Sequence, residues 1–201
     1  MLLAFSSPAN AQVADDTVRL TPKQHLTIEN PAELGKAEAK AIYEDIADQL
    51  ARGYAASDQP VIASYRRWRS SNDSPYRSAT HGNRYVNNFA NPLARGYARM
   101  ENAGVMPPGA VLAKDSFTVT EEGNVFGAPL FVMEKLAAGA SPKTADWRYL
   151  MLLADGSLFG DSRGQNADQV AFCHGCHAQK ADQDYLFFVP RAYRLAAGQS
   201  E

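Results

Sequence analysis

The chain has 201 residues, enough for a sizeable apolar core, and its composition (45% apolar, 10% aromatic, 21% charged) is globular rather than disordered. A formal net charge of −2 argues against any general attraction to nucleic acid or to an anionic membrane surface. No run approaches the ~18 uninterrupted apolar residues of a membrane helix, so no membrane span is expected.

The chain opens with "MLLAFSSPANAQ", apolar and then small, closing on Ala9-Asn10-Ala11, an A-x-A cleavage pattern before Gln12. Residues 1–11 read as the remnant of a secretory signal whose basic n-region is missing, and 12–201 as one domain working in a periplasm-like compartment. Residues 31–57 then carry the clearest helical pattern, with Ile42, Ile46 and Leu50 recurring at i, i+4 and i+8 among good helix formers. The polar, Arg-rich stretch 58–83 is expected to start as helix and continue as loop. "RYVNNFANPLARGYARM" (84–100) reads as a second helix, interrupted or restarted at Pro92.

Beyond residue 100 the period changes. "AVLAKDSFTVT" (110–120), "APLFVMEKL" (128–136) and "WRYLMLLA" (147–154) are β-branched and aromatic runs bounded by Gly- and Pro-containing turns. Asp155-Gly156 is a hairpin signal that pairs the third run with Ser157-Leu158-Phe159. The expected fold class is therefore α+β: an antiparallel meander packed with N-terminal and C-terminal helices.

Near the C-terminus, "FCHGCH" (172–177) holds both cysteines and two of the four histidines. A structural zinc needs four ligands, yet the remaining histidines, His25 and His81, are single and remote. A thioredoxin-like redox pair opens a helix after an early strand of a βαβ unit, which is not the context here. A haem accounts for each residue: Cys173 and Cys176 reach the two vinyl groups of one porphyrin, and His177 falls beneath the iron as proximal ligand. His174 is then expected to point outward without a role. A second axial ligand would have to come from upstream, from His81, Met100, Met106, Met133 or Met151. Methionines in a half-buried sheet are mostly core filler, so the pattern leans toward an open distal position.

The chain resembles the cytochrome P-460 family, which is related to cytochrome c′-beta. The resemblance is carried by "THGNRYVNNFANPLA" (80–94), "MPPGAVLAKDSFTV" (106–119), "GAPLFVMEKL" (127–136), "DWRYLMLLADGSLFG" (146–160) and "FCHGCHAQKADQDYLFFVP" (172–190). It implies a small α+β domain with an antiparallel sheet packed on one covalently bound haem c, commonly a homodimer. In the P-460 branch it further implies a five-coordinate iron, a lysine joined to the porphyrin edge, and oxidation of hydroxylamine to nitrous oxide. The cytochrome c′-beta branch implies instead a non-enzymatic binder of nitric oxide at an apolar distal pocket.

Which branch applies turns on a lysine, and Lys114 is the candidate for the cross-link. In the strand pattern Leu112, Lys114 and Ser116 share one face, and Val111, Ala113, Asp115 and Phe117 the other. A lysine buried beside haem loses its charge, and the neutral amine is the reactive form. Lys135 is the rival, with Glu134 beside it favouring a surface position. Catalysis also wants a distal proton acceptor. Asp168 is the candidate, against the alternative of a carboxylate that stabilises a helix start. Arg84 is read as a propionate or pocket partner, or as an ordinary ion pair. Phe117, Phe131, Trp147 and Tyr149 are candidates for the haem wall. The functional expectation is hydroxylamine oxidation with electrons passing to a soluble periplasmic acceptor. The rivals are the nitric oxide binder and a six-coordinate electron-transfer cytochrome using a ligand such as His81.

Overall fold

The computed structural model describes residues 30–195. The signal-like residues 1–11 and His25 lie outside the described residues. After an extended entry in which Pro31 bridges Thr120, helix α1 spans Lys36–Ala55. Ala39, Tyr43, Ala47, Leu50 and Tyr54 form its buried stripe, spaced at four or three residues as a single helix face requires. Ile42 and Ile46, expected at the centre of that stripe, sit half-buried at its margin.

Eight antiparallel strands follow: β1 Arg69–Ser70, β2 Tyr76–Ser78, β3 Arg84–Ala90, β4 Val111–Val119, β5 Val125–Gly127, β6 Leu130–Lys135, β7 Trp147–Leu152 and β8 Leu158–Asp161. They form one sheet in the order β1-β3-β4-β6-β7-β8, with β2 also on β3 and β5 also on β4. The α+β class, the three long strands and the hairpin at Asp155-Gly156 therefore match the sequence expectation. That hairpin pairs Leu152 with Leu158, and Gly156 takes φ +86°, a conformation that glycine supplies without strain.

The stretch 84–100 corrects the sequence reading. It forms strand β3 and then a 3₁₀ segment, Pro92–Asn102, rather than a helix restarted at proline. Every residue of β3 is buried, because layers cover both faces of the sheet, so the polar–apolar alternation that marks a half-exposed strand is missing. Its polar residues are satisfied internally. Asn87 accepts from Asn72 at 2.9 Å and donates to Asp115 at 3.3 Å, while Asn88 donates to Tyr76 and Tyr97 at 3.1 and 3.2 Å. Asn91 ends the strand: its Oδ1 accepts the backbone N–H of Ala94 at 2.9 Å and of Val111 at 3.0 Å. The region 58–83 forms short 3₁₀ turns and the edge strands β1 and β2 rather than a helix start.

Two apolar layers sandwich the sheet. On one face α1 packs on Tyr85, Phe89, Val111, Ala113, Phe117, Val119, Leu130 and Leu152. The opposite face presents Val86, Ala90, Leu112, Met133, Trp147 and Tyr149 to the 92–102 segment and to Leu186 and Val189 of the C-terminal segment. Phe117 stacks on Tyr43 and Tyr85 in the α1 layer, so it is not part of a haem wall. This follows from the strand parity that already set it opposite Lys114.

The α1 layer also buries a carboxylate. Asp115 is fully enclosed and accepts from Tyr43 Oη at 2.6 Å, Tyr65 Oη at 3.1 Å and Asn87 Nδ2 at 3.3 Å. Burial raises its pKa from 3.8 to about 6 against the opposing effect of those hydrogen bonds. A carboxyl raised on folding binds more protons in the native state, so stability declines as pH rises through this interval. Relative to Asp115→Asn, the wild type should lose roughly 3 kcal/mol between about pH 4 and pH 6 by denaturant unfolding. An unchanged difference across that range would contradict the buried, raised carboxyl.

Candidate functional site

Residues 167–189 run across the open face of the sheet: a 3₁₀ turn (Ala167–Val170), helix α2 (Ala171–His177), a second 3₁₀ stretch (Ala178–Gln183) and an extended tail. At i, i+3 and i+4 of α2, Cys173, Cys176 and His177 share one helix face. The tail is pinned at Asp184, which sits at φ +51°. Its carboxylate takes a 2.6 Å ion pair from Lys135 and a 2.8 Å bond from the Met106 N–H, and its carbonyl accepts from Trp147 Nε1 at 2.9 Å.

Between sheet and tail lies a cavity of about 800 Å³ including the open space at its mouth. The sheet contributes Asn88, Leu112, Lys114, Phe131, Met133 and Tyr149. Facing them are Phe172, Cys173, Cys176, His177, Leu186 and Phe187, with Thr80 and His81 from the turn before β3 and Tyr97 from the 92–102 segment.

His177 is held for ligation. Its Nδ1 lies 2.7 Å from the Tyr185 carbonyl. A carbonyl only accepts, so the proton resides on Nδ1 and the lone pair of Nε2 is left available. Burial, with a contribution from the nearby Lys114 charge, lowers its pKa to about 4 against that hydrogen bond, so the ring is neutral at ordinary pH. Both cysteines are free thiols, and burial raises Cys173 to about 12. A thiol held protonated is a poor redox nucleophile. Among the described residues no group of three or more His, Cys, Asp or Glu could hold a metal ion, which leaves a zinc without its remaining ligands. Two thiols and an imidazole on one wall of an apolar cavity fit a covalently attached haem.

Lys114 faces the same cavity from the centre of the sheet, between Asn88 on β3 and Phe131 on β6. Desolvation lowers its amine from 10.5 to about 8, and among the described residues it has no hydrogen bond or ion pair. Lys135 is committed elsewhere: besides Asp184 it donates to the Ala145 carbonyl at 3.1 Å and lies 4.8 Å from the Trp147 ring centroid. It is buried and paired rather than on the surface.

Other expected site residues are not brought together. Asp168 is exposed in the turn before α2 and does not line the cavity. Arg84 is buried at the start of β3, where its Nη1 donates to the His81 carbonyl at 3.1 Å and its Nε has no partner among the described residues. It holds the turn that carries His81 rather than lining the cavity. Phe131 and Tyr149 are on the wall, whereas Trp147 is on the same sheet face but outside it. His174 does not point away: it stacks on Tyr185 at 5.5 Å and its Nδ1 is 3.5 Å from Tyr149 Oη. Of the upstream axial candidates only His81 and Met133 line the cavity, and His81 packs edge-on against Phe131 at 4.8 Å.

The sequence reading did not single out Asn88, Tyr97, Phe187 or the Tyr185 carbonyl. Phe187 and Tyr185 fall in an aromatic run just after the motif, a weak signal; a main-chain acceptor leaves no signal in residue identities. In the haem-free chain, NMR titration of the lysine ε-carbons should show one resonance with a midpoint near 8 that is missing from Lys114→Ala. A Lys114 midpoint at the ordinary 10.5 would put the amine in water and contradict this geometry.

Comparison with family models matches residues 62–188, more than half of the chain, to the model described as Cytochrome P460. The matched span takes in the sheet and α2 and leaves α1 outside it. Comparison with curated proteins finds no match.

Proposed function

The chain belongs to the cytochrome P460 family, and from that premise we propose that it is an exported c-type haem enzyme that oxidises hydroxylamine to nitrous oxide or nitric oxide. Cys173 and Cys176 form the thioethers, His177 is the proximal ligand, and Lys114 is joined to the porphyrin edge. The observation that carries this reading is the neutral-leaning, unpaired Lys114 amine on the cavity wall facing Cys173, Cys176 and His177. An amine with no partner that is half deprotonated near pH 8 is available as a nucleophile, whereas Lys135 is held charged by Asp184.

When bound, the haem supplies a redox-active iron that accepts the substrate nitrogen and passes its electrons on. The chain's own residues do the rest. The Tyr185 carbonyl holds the proton on Nδ1 of His177, so Nε2 would be free to hold the iron, and the same bond increases the ring's basicity. Leu112, Phe131, Met133 and Phe187 exclude bulk water from the cavity. Oxidation of hydroxylamine releases protons, and in the absence of Asp168 from the cavity that role falls to His81. Ser78 Oγ and Thr80 Oγ1 orient its Nδ1 at 2.9 and 3.3 Å. Arg84 acts by fixing that turn through the His81 carbonyl. A soluble periplasmic acceptor takes the electrons.

The apolar side chains of the sheet wall also favour one second reading, a nitric oxide binder in which Lys114 stays free. The ferrous absorption spectrum and intact mass separate the two. The enzyme reading expects a haem attached at three points and a red-shifted Soret band, both reverting to ordinary thioether haem in Lys114→Ala. A wild-type protein with an ordinary five-coordinate spectrum indicates the gas binder, and a red shift that survives Lys114→Ala removes this lysine from the cross-link. His81→Gln should keep the cross-linked spectrum and slow hydroxylamine turnover about 100-fold; wild-type turnover in that variant would exclude His81 as proton acceptor.

A further inference from the structure

A second cavity opens at the β1 edge of the sheet, where Arg69 pairs with Ala90, and shares no lining residue with the first. It encloses about 510 Å³ including its mouth, and its lining includes Arg67, Trp68, Arg69, Ser71 and Arg95 but no carboxylate. Trp68 is extended (φ −77°, ψ 162°), which sets the flanking arginines two positions apart along one edge, and Arg95 reaches the rim from the 3₁₀ segment that starts at Pro92. None of these three guanidinium groups has a hydrogen bond or ion pair among the described residues. All three are exposed, and they gather on a lining without a carboxylate in a chain of net charge −2.

The lining supplies an independent observation. Ser71 is only 3% exposed, yet among the described residues its hydroxyl has no hydrogen-bond partner. A buried hydroxyl left unmatched is costly, so one bordering a cationic cavity marks a position where an acceptor is wanted. Guanidinium groups match the oxygens of tetrahedral oxyanions with paired, charge-assisted hydrogen bonds, and a hydroxyl adds one more donor. We propose that Arg67, Arg69, Arg95 and Ser71 form a binding site for a small tetrahedral oxyanion of the phosphate class, separate from the haem cavity. The proposal does not depend on the reaction assigned above.

The test is isothermal titration of the haem-loaded protein with inorganic phosphate at low ionic strength. Wild type should bind phosphate saturably, and the triple variant Arg67→Gln/Arg69→Gln/Arg95→Gln should weaken it by about tenfold or more. Arg52→Gln on α1 controls for net charge and should bind as wild type does. Ser71→Ala should weaken binding several-fold while its Tm does not fall, since it removes an unmatched hydroxyl rather than a made bond. Vesicles containing phosphatidylglycerol distinguish the source: displacement of phosphate together with pelleting of the protein assigns the oxyanion to a lipid headgroup, and no displacement to a free anion. Absence of saturable phosphate binding by wild type, or an unchanged affinity in either the triple variant or Ser71→Ala, overturns the site.

Discussion

The turn between α2 and the C-terminal tail decides where the imidazole of His177 points, and the remaining site geometry depends on it. Tyr185 offers its carbonyl to Nδ1 because the chain takes two consecutive left-handed residues, Asp184 at φ +51° and Tyr185 at φ +65°. Such a conformation is unfavourable for bulky residues and persists only when its surroundings enforce it. Here Lys135, the Met106 amide and the Trp147 indole all converge on Asp184. Lys135 is thus a structural cation: breaking a nearly buried pair strands a charge, a loss of about 3–5 kcal/mol. Its effect would reach His177 through the main chain.

Strand β4 joins this site to the rest of the core. Lys114 and Asp115 are neighbours in sequence and point to opposite layers, the first toward the haem cavity and the second into the α1 layer. Burial drives both toward their uncharged forms. For the lysine this creates reactivity. For the aspartate it is a burden carried by three donors from α1, the Tyr65–Arg67 turn and β3. The matched family span excludes α1, yet α1 closes the layer on which β4 rests and contributes Tyr43 to that carboxylate.

The motif, the three long strands and the hairpin were legible because each rests on local chemistry: a fixed spacing, a period of two, a turn dipeptide. Lys114 was singled out by the resemblance, since the strand pattern alone gives only the face it lies on. Strand β3 was not legible. Buried on both faces and bearing two adjacent asparagines, it mimics a polar helix until its partners Tyr76, Tyr97 and Asn72 are known. Asp168 was misplaced for a related reason, since distance along the chain says nothing about which way a short 3₁₀ turn faces. Phe117 could have been excluded from the haem wall by parity alone. The Tyr185 carbonyl and the arginine-lined cavity depend on tertiary placement, which no residue identity reveals.

Lys114 and the cysteine motif stand about sixty residues apart, and under the proposed function that separation orders the maturation of the holoprotein. Thioethers at Cys173 and Cys176 would need only a local hexapeptide and could form on an extended polypeptide. The Lys114 amine would meet a macrocycle held there only after β4 has been paired into the sheet and the tail has closed over it. The proposed lysine bond would therefore be a late event that reports a finished fold. It would tie strand to helix across that loop, which in the chain-entropy picture disfavours the unfolded ensemble by about 4 kcal/mol. A cofactor so bound would act as a covalent staple.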